Sequence, residues 1–575
     1  MYSFQAPSQK YGIFAAITVL LIGLMLQIFQ EGFKLLKEPS FWLGIYGWLA
    51  TAIVVGSLVY LGFSLLGLCN SHSNRTNTNE QPSLALGTQV PAGKLPPWEI
   101  DNLPPPPSFN FRNIITTIGP SAILLGTSIG SGEWLLGPAV TAQYGGFLLW
   151  LVPVAIVLQA IINTEFIRYT LYTGEPIYTG FMRTNPGVRF WSIFYTSIAF
   201  LQLSWPGWAS SAATALTALF IGEVPGSQHA NLIRIFGLIW FLSIATIIIF
   251  GAKIEQTIEL VQWFFVAAIV LFLAVVTFYF TSPITYQTAW RGITTFGVIP
   301  PGLDWLLLSA FIADAGAGGV INGTLSNWFR DKGFGMGGVV GYIPAIIGGR
   351  RLSLTQTGKV FPLTPENKQR WRGWWKFVDV DQYGIWAIGC FLGMLLPALL
   401  TLEFIPPGTK FVNQFGIAVY QAQYIVWATG KDIFWVITLL IGFWILYSTQ
   451  LGITDAFVRM VTDMIWSSSS RLRQWRGGDI RLIYYGVLFL FILWGVLVLF
   501  LEVKPLFLIL LGANIAALNI ACLGLHTLYI NRKFLPVELR PPLWREIVVF
   551  LGVIFYGFFF FKAAPELFHQ LFSWL

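Results

Sequence analysis

Long apolar runs separated by short polar stretches dominate the chain. A helix needs roughly 20 apolar residues to cross about 30 Å of hydrocarbon, and about thirteen runs of that kind carry few or no charges. They lie near residues 12–30, 42–69, 112–143, 146–171, 190–221, 230–251, 256–281, 303–328, 384–402, 433–465, 482–501, 505–530 and 544–563. The runs are continuous rather than alternating, so they predict membrane-spanning helices and not the strands of a barrel. The expected fold class is an all-α polytopic membrane protein.

Two of the runs are interrupted at their centres by glycines with an acid beside the break. One reads Gly126-Thr127-Ser128-Ile129-Gly130-Ser131-Gly132-Glu133-Trp134, the other Asp314-Ala315-Gly316-Ala317-Gly318-Gly319-Val320. Interrupted spans in corresponding places of two halves point to a transporter's binding site, because unwound backbone and helix ends at mid-membrane can hold a substrate or ion. A third run, 190–221, contains Pro206-Gly207, which predicts a kink, with Gln202, Ser204 and Ser210 as hydrogen-bonding groups beside it.

Composition agrees with the pattern: 55% of the 575 residues are hydrophobic, 10% are charged, and mean hydropathy is +0.67. Cys69, Cys390 and Cys522 are scattered in or beside apolar runs, which suits packing rather than disulfides or zinc. The net charge of +8 matters through its placement. Basic residues gather in alternate connections, among them Arg183, Lys253, Arg330, Lys332, Arg372, Arg473 and Arg532, and these predict the cytoplasmic side. That places the N-terminus in the cytoplasm and fits a bacterial inner membrane. The basic tracts read as topology determinants with anionic-lipid contact as a secondary role, and not as nucleic-acid patches. Lys10 precedes the first run, but no small-residue cleavage site follows before Gln30-Glu31, so this run is expected to be a retained anchor rather than a signal peptide.

The expected organisation is a two-helix membrane unit over 1–69, a Pro-rich polar linker over 70–111, five-helix repeats over 112–282 and 283–530, and a C-terminal helix over 531–575. The second repeat carries a cytoplasmic loop at 333–383. Its glycines, Gly333 to Gly338, lack phosphate-binding spacing, and its tryptophans beside arginines suit an interfacial belt.

Residues 119–150, from Gly119-Pro120 to Gln143-Tyr144-Gly145-Gly146-Phe147-Leu148-Leu149-Trp150, resemble the first span of the Nramp divalent-metal transporters. That family's pattern there is Gly-Pro, an Asp-Pro-Gly-Asn break, and a run ending in Leu-Leu-Trp. Tyr447-Ser448-Thr449-Gln450 through Asp455 resembles its eighth core span, and Ile530-Asn531-Arg532-Lys533-Phe534-Leu535 the close of its tenth. The resemblance covers roughly 112–570 at weak identity. It implies a leucine-transporter-like architecture, with inverted five-helix repeats whose first helices are the broken ones, two extra N-terminal helices and one trailing helix. In that register the family's Asp-Pro-Gly-Asn falls on Gly130, Ser131, Gly132 and Glu133, and its Ala-Thr-Val-Met-Pro-His on Asp314 to Gly319, with the methionine position at Ala317. The soft ligand is thus replaced, and a harder oxygen site of Glu133 and Asp314 is implied as the metal-binding pair. Gly130, Ser131, Gly132 and Ala317 complete the implied substrate site. Oxygen ligands suit magnesium, calcium or manganese.

A mid-bilayer acid costs about 2.5–3.5 kcal/mol on insertion scales, so Glu133 and Asp314 have either of two uses. They contact cargo, or they cap the broken half-helices. Glu165 beside Arg168 and Asp455 beside Arg459 read as helical ion pairs, and His526 as a satisfied interior histidine. The family's third-span acids are absent from 190–221, which leaves the coupling ion open. The leading expectation is a secondary transporter of a hard divalent cation. The alternatives are a transporter of a cationic or zwitterionic organic solute, held by the acids and Trp134, Trp205 and Trp208, and a non-transporting membrane protein that retains the fold. No nucleophile–base set marks an enzyme, and no cofactor is implied.

Overall fold

The computed structural model describes residues 87–574, apart from 251–252, 299, 348, 350–353, 410–416, 475–477 and 501–504. The expected N-terminal two-helix unit, Cys69, and the first part of the Pro-rich stretch lie outside the described residues. Residues 57–565 form one compact unit, to which everything below refers. The other, 1–56 with 566–575, includes the last turns of the final helix.

The main helices are α1 (Pro120–Ser128), α2 (Gly137–Tyr144), α3 (Leu151–Thr173), α4 (Val188–Leu203), α5 (Gly207–Ile221), α6 (Ala230–Ile249), α7 (Ile254–Phe280), α8 (Trp305–Ala313), α9 (Val320–Lys332), α10 (Pro365–Asp379), α11 (Ile388–Phe404), α12 (Ile433–Ser468), α13 (Ile480–Phe500), α14 (Pro505–Phe534) and α15 (Leu543–Trp574). Among the described residues eight helices are long and apolar enough to cross a membrane, or nine with the bent first span. The fold is that of an all-α polytopic membrane protein. The expected spans at 112–143, 190–221 and 303–328 are each broken, the second between Leu203 and Gly207, where Pro206 has no N–H to continue the ladder. The expected span 384–402 runs further back, through a π-helical stretch at Val380–Ala387 into amphipathic α10.

Burial separates the inner helices from the outer ones. Of the residues in each apolar window, 78% are buried in α3, α12 and α14, but only 28–39% in α6, α7, α13 and α15. α12 runs through the middle, against α1, α4, α5, α7, α9 and α13. The outer helices present Phe264, Leu271, Phe278, Phe489 and Phe558 outward, as lipid contact requires. Cys390 and Cys522 are free and buried.

The stretch expected as a linker is packed from residue 87 onward. Strand β1 (Gln89–Val90) pairs with β2 (Trp98–Ile100), which lies parallel to β3 (Lys359–Val360). Trp98, Ile100 and Leu103 are buried, and the Trp98 ring carries the Arg183 guanidinium 4.6 Å above it. The prolines that follow have carbonyls but no N–H groups to satisfy. Arg370 donates to the Leu103 carbonyl at 2.6 Å and Trp374 to that of Pro104 at 2.9 Å, tying this strap to α10.

Glu175 organises the strap from beneath. It accepts from Arg183 Nε at 2.8 Å, from the Gly358 N–H at 2.7 Å and from the Tyr169 hydroxyl at 2.7 Å, while Arg183 donates to the Ala92 and Pro96 carbonyls. Burial pushes the Glu175 carboxyl up, but Arg183 and these donors outweigh it and hold the group below the usual glutamate range. A depressed folded value means that the stabilisation is full above the unfolded value, about 4.3, and is lost as pH falls through the folded one. Protease sensitivity of the 87–107 strap is therefore expected to stay flat from neutral pH down to about 4.3 and to rise only below it. A rise between pH 7 and 5 would contradict this ion-pair account.

Candidate functional site

The first broken span leaves the helix at Ile129, whose φ of −66° and ψ of 87° end α1, and resumes in a π-helical turn at Gly132–Leu136. The freed backbone groups find side chains. Glu133 Oε2 accepts from the Gly130 N–H at 2.8 Å, and Thr449 on α12 donates to the Ile129 carbonyl at 3.3 Å. Gly132 has no side chain because the Asp314 main chain of the other broken span occupies the space a Cβ would need. The two breaks therefore touch backbone to backbone.

The second break runs from Asp314 to Gly319, with Gly318 and Gly319 at φ of 71° and 60°, values that favour glycine. Two glutamines satisfy its backbone. Gln159 on α3 donates to the Ala313 carbonyl at 3.1 Å and accepts from the N–H groups of Ala317 at 3.1 Å and Gly318 at 3.4 Å. Gln202, at the end of α4, donates to the Gly318 carbonyl at 2.9 Å and accepts from the Val320 N–H at 3.0 Å. Asn322 and Asn519 brace the two amides at 3.1 and 2.7 Å. Without such partners each orphan group at this depth costs several kcal/mol.

Between the breaks lies a cavity of about 20 Å³, room for one water-sized ion or molecule. Its polar lining comes from Thr127, Ser128, Ser131, Gln202, Asp314 and Thr449, and Asp314 is the one carboxylate among the described residues that line it. Asp314 is half-buried, unlike its fully buried neighbours in sequence. Its Oδ2 accepts from the Ser131 hydroxyl at 2.7 Å, and that hydroxyl accepts from the Trp208 indole at 2.9 Å.

Of the residues singled out from sequence, Ser131, Asp314 and Ala317 line this cavity. Gly130, Gly132 and Glu133 stand behind it. Glu133 is turned into its own helix break, fully buried near Gly393 of α11, with Oε1 lacking any hydrogen-bond partner. The structure thus does not bring Glu133 and Asp314 to one cavity as a ligand pair. Its reason is local: the π turn aims Glu133 back at the Gly130 N–H. Among the described residues no group of three or more His, Cys, Asp or Glu side chains converges to hold a metal. Trp134 and Trp205 are off the cavity, the latter donating to the Leu201 carbonyl. Gln159 was not anticipated; an amide within the apolar run 146–171, with Asn163 one turn on, was its only signal.

Two further acids singled out from sequence, Glu165 and Asp455, are paired. Glu165 holds Arg168 at 2.7 Å and Arg545 at 2.6 Å, and Asp455 holds Arg459 at 2.8 Å. His526 is partnered by the hydroxyls of Tyr195 at 2.7 Å and Thr184 at 3.0 Å.

Crystal structures of an Eremococcus coleocola manganese transporter superpose on this chain. Two variants give TM-scores of 0.57 and 0.58 at 10% identity, covering 80% and 81% of this chain and 89% of theirs. A third structure of that transporter, in complex with an aromatic bis-isothiourea substituted compound, gives 0.53 at 12% identity. The chain has the leucine-transporter-like fold. No protein-family model matches the sequence, and no curated protein matches it either. Within this fold α1–α2 and α8–α9 are the broken first helices of the two repeats, and the cavity lies where they meet.

Proposed function

We propose that this protein is a divergent Nramp-like secondary transporter that carries a small, hard cation, with Asp314 as its charged ligand. The observation that carries the reading is the cavity at the two helix breaks: about 20 Å³, lined by hydroxyl, amide and carboxylate oxygens around one acid. Among the described residues that line it none carries sulfur or imidazole, which supports magnesium, calcium or manganese over softer metals. The family's register placed Glu133 beside Asp314 as a second ligand. In the present arrangement Glu133 supports the loop from behind, and its Oε1 has no hydrogen-bond partner. An organic ammonium would have Trp208 for cation–π contact, but the space here supports a single ion better than a solute, since pockets for organic ligands run to about 300–1,000 Å³.

The test is thermal stabilisation of the full chain by magnesium, calcium, manganese and a panel of amines, followed by flux of the stabilising ligand in proteoliposomes. An ion present at 100 times its dissociation constant adds about 2.7 kcal/mol. Asp314→Asn is expected to abolish that response. Glu133→Gln keeps the acceptor for Gly130 and is expected to weaken the response no more than tenfold in affinity. Stabilisation by an amine alone would move the cargo to organic solutes, and no response to any ligand would sink the transporter reading.

A further inference from the structure

A second group of ionisable side chains lies away from the cavity, where α7 begins and α9 ends. Glu255 and Glu259 stand one helical turn apart on α7. Lys332, the last residue of α9, places its ammonium 2.5 Å from Glu259 Oε2 and 3.8 Å from Glu255 Oε1. Glu255 is 1% exposed, and neither of its carboxyl oxygens has a hydrogen-bond partner. The two carboxylates reach the same ammonium from successive turns of one helix and have no hydrogen of their own to share. Gly119 presses its backbone onto the Glu259 carboxyl from α1, closing that side.

The surrounding charges are committed elsewhere. On α9, Arg330 is held by Asp331 and Asp463, each at 2.6 Å, and on α12 Arg459 is held by Asp455 and Asp331. Asp381, ahead of α11, accepts from the Ser121 hydroxyl at 2.5 Å and from Gln382. Lys253, before α7, lies over the Tyr342 ring at 4.1 Å. α6 and α11 carry no charged side chain at this end of α7. Among the described residues one cation, Lys332, thus serves two acids, Glu255 fully buried and Glu259 14% exposed.

We propose that Glu255 and Glu259 form a proton-binding site, one proton shared between the two carboxyl groups and the remaining negative charge balanced by Lys332. The proton comes from water; on binding, one carboxylate becomes a carboxylic acid that donates to the other, and no other bond changes. A single proton supplies the missing hydrogen, removes the uncompensated buried charge and leaves a one-to-one ion pair. Because α9 starts at the break that holds Asp314 and ends at Lys332, a displacement of α9 withdraws the ammonium, and a second proton then binds. Reseating α9 releases it. This last step makes the site a coupling device and rests on the transporter reading; the proton site itself does not.

The full chain in lipid nanodiscs is examined by infrared difference spectroscopy at neutral pH, wild type against Glu255→Gln and Glu259→Gln. Glutamine matches the shape of the protonated acid, so both variants are expected to fold. Each is expected to remove the same deuterium-sensitive carboxylic-acid band, and Lys332→Met is expected to add one. Loss of carboxylate bands alone, with every carboxylic-acid band intact, overturns the proposal. Manganese uptake into proteoliposomes then reads the coupling: wild-type uptake that varies with pH and Glu255→Gln uptake that does not supports it, and identical pH profiles overturn it. A lost band with no uptake in any variant supports the proton site and removes the transporter reading instead.

Discussion

Replacing Arg459 with methionine is expected to cost about 3–5 kcal/mol of stability. Arg459 is fully buried on α12. Its guanidinium donates to both oxygens of Asp455, at 3.0 and 2.8 Å, and to Asp331 at the end of α9. Asp455 also accepts from the Trp328 indole at 2.7 Å and the Tyr484 hydroxyl at 2.6 Å, and Asp331 from Arg330 at 2.7 Å. Methionine fills much of the volume but leaves Asp455 as a buried carboxylate with two neutral donors. The cost is that of the stranded charge, not of the lost contact. Arg459→Lys is expected to be intermediate, since an ammonium cannot serve two carboxylates with a planar fork. Arg459→Met/Asp455→Leu, which removes charge from both sides, is expected to recover more than half of the loss. Denaturant unfolding in micelles reads these values. A loss under about 1 kcal/mol for Arg459→Met would mean that the network is solvated, contrary to its burial.

Run length and interruption made most of the helical layout readable. The breaks fall where the chain has glycine or proline: Gly130 to Gly132, Pro206-Gly207, and Asp314 to Gly319. Glycine is needed there for contact as well as for φ, as Gly132 shows against the Asp314 backbone, and only the need for a break can be read from one sequence. The direction of Glu133 was not legible. Cap and ligand differ by a side-chain rotation that the π turn decides, and nothing in local sequence announces a π turn. Gln159 was hidden for another reason: its partners are 154–159 positions away, so its role exists only once α3 packs beside the second break. The strap misled through averaging. Over 70–111 the composition is that of a linker, but Trp98, Ile100 and Leu103 are enough to anchor it to the helices beneath.

Gln159→Leu is expected to abolish ion-induced stabilisation as completely as Asp314→Asn, although Gln159 does not line the cavity. Leucine is close in size, so the change tests hydrogen bonding and not packing. It strands the Ala313 carbonyl and the N–H groups of Ala317 and Gly318, and removes a partner from Asn322. At about 1–3 kcal/mol for each unsatisfied buried group, the unwound segment has no reason to keep its shape. The helix ends are then expected to close by further winding, which carries Asp314 away from Ser131. Gln159→Glu separates the donor from the acceptor role. It keeps an oxygen for Ala317 and Gly318 but loses the donor to the Ala313 carbonyl and to Tyr556, so about half of the destabilisation is expected. Thermal unfolding of the three proteins with and without manganese tests this. If Gln159→Leu loses stability but keeps the full manganese response, the break is held by its glycines alone, and the two amides are packing groups rather than the support of the site.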